Sequence, residues 1–99
     1  MIDSKQLLIY LSSNKDRFQK EYHLIRIGFF GSIARGEQND KSDIDLIVEF
    51  EDGTPDLFSI KQKLKSEIQS KFNLQVDICR EKYIKSIFKN QILSEAKYA

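Results

Sequence analysis

Gly31-Ser32-Ile33-Ala34-Arg35-Gly36-Glu37 leads through a polar connection to Ser42-Asp43-Ile44-Asp45-Leu46-Ile47-Val48-Glu49-Phe50. The second half of this stretch decides the fold. Side chains of a strand alternate between its two faces. Over residues 44–50, Ile44, Leu46, Val48 and Phe50 share one face, which is wholly apolar. Asp43, Asp45, Ile47 and Glu49 share the other. The pattern predicts a strand with its back in a core and its front toward a site.

Upstream, residues 24–30 (Leu-Ile-Arg-Ile-Gly-Phe-Phe) are apolar, partly β-branched and short, which suits a buried strand ended by Gly31. The two strands can pair antiparallel through the connection between them. Farther back, Leu7, Leu8, Leu11 and Phe18 recur at helical spacing over residues 4–20, and Asp3 with Gln6 can form a capping box. Downstream, Glu51-Asp52-Gly53 turns the chain, and Thr54 is placed to cap a helix with Pro55 at its first position. Leu57, Ile60, Leu64, Ile68 and Phe72 mark that helix's apolar side. Residues 74–79 read as a third strand, with Leu74, Val76 and Ile78 opposite Gln75, Asp77 and Cys79. A last helix is expected over 82–96, apolar along Ile84, Ile87, Phe88 and Ile92. The sum is an α/β (α+β) fold, a small mixed sheet of three or more strands flanked by helices.

A chain of 99 residues predicts one domain, 1–99, with a modest core that a partner subunit would help to stabilise. Net charge is +1, so bulk charge gives no argument for direct nucleic-acid binding. The charge is unevenly placed. Glu37 to Asp56 holds eight acids against Lys41 alone, whereas Arg80 to Ala99 holds five bases and two acids. A single cysteine, Cys79, and a single histidine, His23, exclude an internal disulfide and a Cys/His zinc site. With no basic-then-apolar leader and no bilayer-length apolar run, a soluble, cytoplasmic protein is expected.

Gly31 allows the backbone to turn and approach a phosphate closely. Ser32 adds a hydroxyl and, where a helix begins, an N–H group suited to anions. Arg35 can add a charge-assisted hydrogen bond. A Gly-Ser pair alone is usually only a tight turn. Asp43 and Asp45 carry more information. Two carboxylates about 4 Å apart repel by ~1 kcal/mol in bulk water and ~4 at an effective dielectric near 20. A Mg²⁺ ion compensates them, because it takes one or two carboxylates with substrate phosphates and water. Asp77 stands on the polar face of the later strand and offers a third carboxylate. Three such groups can hold two metal ions, and Asp77 can help deprotonate an attacking hydroxyl. The alternative for each aspartate is an ordinary exposed strand position. His23 reads as a capping or surface residue, Glu49 as a rim residue, and Lys41 as a solvated loop lysine.

Gly-Ser, ten residues, then Asp-x-Asp, met here by Gly31, Ser32, Asp43 and Asp45, resembles the minimal nucleotidyltransferase family of the DNA polymerase β-like superfamily. Ala34-Arg35-Gly36-Glu37 and Val76-Asp77 fit the same pattern, and the likeness covers nearly the whole chain. Ile33 departs from it, standing where relatives often carry a basic or polar residue. The resemblance implies nucleotide phosphates at Gly31 and Ser32, and magnesium at Asp43, Asp45 and Asp77. It also implies ATP as nucleotide, and an antitoxin that transfers AMP to a tyrosine of a HEPN-domain toxin. Two other readings stand beside it. One is a non-catalytic partner subunit that docks through the last helix. The other is transfer to a small molecule, which usually calls for a second domain.

Overall fold

The computed structural model describes residues 2–99. Helices α1 (Ser4–Ser13) and α2 (Lys15–Tyr22) lead into β1 (Leu24–Phe30). A one-turn helix α3 (Ser32–Arg35), β2 (Ile44–Phe50), α4 (Leu57–Phe72) and β3 (Val76–Arg80) follow. A 3₁₀ turn (Glu81–Tyr83), α5 (Ser86–Glu95) and β4 (Lys97–Tyr98) complete the order. The strands form one sheet in the order β3-β2-β1-β4. β1 runs antiparallel to both β2 and β4, and β2 runs parallel to β3. The sheet is therefore mixed, as expected. A parallel pair needs a crossover, and α4 supplies it.

The back of β2 is the centre of the core. Ile44, Leu46 and Val48 are fully buried, with Ile27 and Phe29 of β1 and Val76 of β3 beside them. Leu7 and Leu11 of α1, Phe18 and Tyr22 of α2, and Leu64 and Ile68 of α4 complete the cluster. Each side chain of this size gains ~1.5–3 kcal/mol on burial. Glu67 of α4 ties the helices together. It accepts from Arg17 at 2.5 Å, from the Tyr22 hydroxyl at 2.8 Å and from the Tyr10 hydroxyl at 3.1 Å. The Arg17 hydrogen bond holds the Glu67 carboxyl below its ordinary range, and burial pushes Tyr10 and Tyr22 up to about 12.

Four expectations are corrected. The helix over 4–20 is two helices joined at Asn14, whose side-chain amide donates to the Tyr10 carbonyl at 2.9 Å. Such local bonding competes with continued helix. The capping box at its start is present, with Gln6 N–H donating to Asp3 and Asp3 N–H to Gln6. Thr54 does not cap α4: its hydroxyl donates to the Glu51 carbonyl at 2.6 Å, and α4 starts after Asp56 in the left-handed region. The strand expected over 74–79 runs from Val76 to Arg80, with Gln75 O accepting from Ile44 N at its entrance. The helix expected over 82–96 is the 3₁₀ turn and α5, separated by extended Ile84 and Lys85. Glu49 accepts from Lys82 N–H at 3.0 Å and from Arg80 at 3.2 Å and so pins the 3₁₀ turn to β2. Burial opposes the Glu49 charge, but the Lys82 N–H and Arg80 outweigh it and its carboxyl lies below the ordinary value.

β4 was not anticipated, since two residues carry no readable period. Tyr98 pairs with Gly28, where an added Cβ would stand 2.6 Å from the Lys97 carbonyl oxygen. A side chain at residue 28 would push β4 away. Among the described residues, no helix is long and apolar enough to cross a membrane.

Candidate active site

Asp45 and Asp77 are register partners on the adjacent parallel strands β2 and β3. Neighbouring strands lie ~4.8 Å apart and paired residues share a face, so both carboxylates leave the sheet on the side opposite the core. Phe30 pairs with Asp45 across β1 and β2, which brings Gly31 alongside. Gly31 has φ +80, and a Cβ there would overlap the Asp45 Oδ2 atom. Only glycine fits both the backbone and the space. α3 begins at once, Arg35 N–H donating to the Gly31 carbonyl at 3.1 Å, and Gly36 closes it with φ +74. Ser32 is half-buried at its start, whereas Ile33 is 1 % exposed and belongs to the core. The departure at residue 33 therefore serves packing.

An open cleft of about 460 Å³ is lined by Asp45, Asp77, Ile78 and Cys79 and, from α4, by Lys61, Gln62 and Lys65. Lys61 and Lys65 stand one helical turn apart, and neither takes part in an ion pair among the described residues. Burial raises the Asp45 carboxyl above its ordinary value, and the Asp77 and Asp43 charges push it the same way. Desolvation, then the Asp45 and Asp77 charges, push the Cys79 thiol up as well.

Asp43 is placed differently from the other two aspartates. It precedes β2, is exposed, and lines a separate hollow of about 440 Å³ with Lys41, Ser42, Gln69 and Asn73. The structure thus brings Asp45 and Asp77 together and sets Asp43 to one side, near enough for its charge to act on Asp45. Among the described residues, no three His, Cys, Asp or Glu side chains converge as a ready-made metal cage. A pair of carboxylates still matches magnesium, whose remaining ligands are ordinarily water and phosphate.

Arg35 and the Gly31 N–H are both occupied by carboxylates. Arg35 Nε donates to Glu37 at 2.6 Å, and its Nη1 lies 3.2 Å from each carboxylate oxygen of Glu95. Gly31 N–H donates to Glu95 Oε1 at 3.1 Å. Sequence reasoning missed Glu95, Lys61 and Lys65. The lysines show an i, i+4 spacing off the apolar side of α4, but nothing local says that they face Asp77. Nothing local marks Glu95 either. His23 caps α2 in the left-handed region, in keeping with its reading.

A mixed sheet with Asp45 and Asp77 paired beside a glycine turn is an α/β arrangement suited to holding phosphate and a divalent cation. The chain belongs to the nucleotidyltransferase domain family, whose model matches residues 11–99, and it is a nucleotidyltransferase. It is similar to the protein adenylyltransferase MntA of Thermococcus cleftensis, 29% identical over 98 residues, covering 99% of this chain and 97% of that protein. A solved structure of a candidate minimal nucleotidyltransferase matches with a TM-score of 0.77 and 29% identity, over 97% of this chain and 95% of that one. A toxin–antitoxin structure with AMP-PNP shares the fold with a TM-score of 0.66 and 22% identity, over 87% of this chain and 69% of that one. The family resemblance read from the glycine-serine turn and the aspartates is borne out.

Proposed function

We propose that residues 1–99 form one cytoplasmic domain that transfers AMP from ATP to a tyrosine hydroxyl of a HEPN-type toxin, with Mg²⁺ as cofactor, and so serves as an antitoxin. The observation that carries this reading is the pairing of Asp45 with Asp77 beside the Gly31 turn. The protein adenylyltransferase name of the Thermococcus relative supports the donor and the type of acceptor. The toxin–antitoxin structure with AMP-PNP supports the partner class and the nucleotide.

The phosphates of ATP would lie at Gly31, Ser32 and Arg35. Asp45 and Asp77 would hold the metal, with Asp43, whose charge acts on Asp45, as the third carboxylate. When bound, the ion supplies charge neutralisation for the phosphates. Asp77, exposed at the cleft, would accept the proton of the attacking tyrosine hydroxyl. The new bond joins that oxygen to the α-phosphorus, and pyrophosphate leaves. The raised Asp45 carboxyl fits this role: burial raises it first and the Asp77 and Asp43 charges add to that, and a bound cation would offset the like-charge part.

The test is incubation with labelled ATP, Mg²⁺ and the product of the neighbouring gene as candidate toxin. Label is expected on the toxin, lost with chelator and reduced at least ~100-fold in Asp45→Ala. An unlabelled toxin under conditions where the protein stays folded would sink the proposal. A second reading, neutralisation by contact alone, is favoured by the exposure of Ile87 and Phe88 on α5. It wins if alanine at Asp43, Asp45 and Asp77 leaves neutralisation intact.

A further inference from the structure

Glu95 ends α5 and reaches back 64 residues to the glycine turn. Its carboxylate takes the Gly31 N–H at 3.1 Å and faces Arg35 with both oxygens at 3.2 Å. A backbone N–H and a guanidinium converging on anionic oxygens is also the arrangement that grips phosphate. The Glu95 charge pairs with Arg35, yet it also adds to the pressure on Asp45, which stands beside the same turn. The segment that delivers Glu95 is lightly held. α5 contains no buried residue and has no side-chain cap at its start. The Glu95 side chain is largely covered, at 17% exposed, but it lies outside the apolar core cluster, so its departure leaves that cluster intact.

We infer that Glu95 is a displaceable occupant of the phosphate seat, and that an incoming polyphosphate evicts it and loosens the last turn of α5. This rests on the reading of Gly31 and Arg35 as phosphate contacts. A ligand that binds only the vacated state has its apparent affinity reduced by the fraction of molecules in that state. A polyphosphate with several charges can outcompete a single carboxylate, and when it departs Glu95 resets the seat. Glu95 is thus a gating residue rather than a catalytic one.

The test compares wild type with Glu95→Gln and Glu95→Ala. Calorimetry measures binding of Mg²⁺-ATP and of inorganic tripolyphosphate, and hydrogen exchange follows the amides of Ile92 to Glu95. Both variants are expected to bind ATP about tenfold tighter, the scale of one exchanged charge-assisted contact. ATP is expected to speed exchange in the last turn of α5 in wild type and to leave it unchanged in the variants. If ATP binds all three alike, or binds wild type without changing that exchange, the gate is wrong and the nucleotide reading stands. If ATP binds none but tripolyphosphate binds the variants tighter, the gate stands and the nucleotide reading fails. If neither anion binds any of the three, both are overturned.

Discussion

The helix-covered back of the sheet and the segment from Tyr83 onward are held by different forces. Among the described residues, every buried apolar one lies between Ile2 and Val76. Beyond Val76 none is fully buried, and Ile87 is 80% exposed. That segment is fastened by polar contacts: Glu95 to Gly31 and Arg35, the Lys97 ammonium to Ser4 at 2.8 Å, and the short pairing of β4 with β1. Hydrophobic packing has no substitute when a ligand arrives, whereas a hydrogen bond to a carboxylate can be exchanged for one to a phosphate. The scaffold that positions Asp45 and Asp77 is thus built from the unexchangeable kind of contact, and the segment over the glycine turn from the exchangeable kind.

Phe18→Ala strikes the packed side hardest. A loss of ~3–5 kcal/mol is expected in chemical denaturation, and a loss below ~1 would break the contrast. Next comes Glu67→Ala, which leaves Arg17 and the Tyr10 and Tyr22 hydroxyls without their acceptor and is expected to cost ~1–3 kcal/mol.

The same cluster sets a pH dependence. The folded pKa of Glu67 lies below its unfolded value, so its contribution is present above the unfolded value near 4.5 and is lost as pH falls through the folded one. Tyr10 and Tyr22 are raised from 10.0 to about 12, so theirs is present below pH 10 and lost as pH rises toward 12. Thermal melts across pH should show both losses in wild type and a shallower acid limb in Glu67→Gln. An unchanged acid limb would place the stabilising charge elsewhere. The smallest effect is expected for Phe88→Ala, within ~0.5 kcal/mol by denaturation. Native-state hydrogen exchange sharpens the contrast: α5 amides should exchange well before those of α4, the order that sparse burial imposes.

Much of the packed side was legible in the sequence. β1 and β2 fall on the expected residues because alternation is a local property of the chain. The polar faces of Asp45 and Asp77 were legible for the same reason. Their pairing was not, since register between β2 and β3 is fixed by how α4 packs. The break at Asn14 depends on which bond its side chain makes, and the 3₁₀ turn before Ile84 is held by a carboxylate from β2. Glu95 lay beyond reach because its partners, Gly31 and Arg35, are in another part of the chain. Among the proposed metal ligands, the spacing of Asp43 and Asp45 gave no warning that the two would line different hollows.

Gly28 has one more consequence. A sheet whose outer strand is bare offers a row of unpaired N–H and C=O groups to any passing chain. The absent side chain at Gly28 leaves the notch into which β4 fits, and Ala99 N–H closes onto the Ile27 carbonyl at 3.0 Å. A few backbone bonds thereby cover part of the β1 edge, and the strand left outermost on that side is only two residues long.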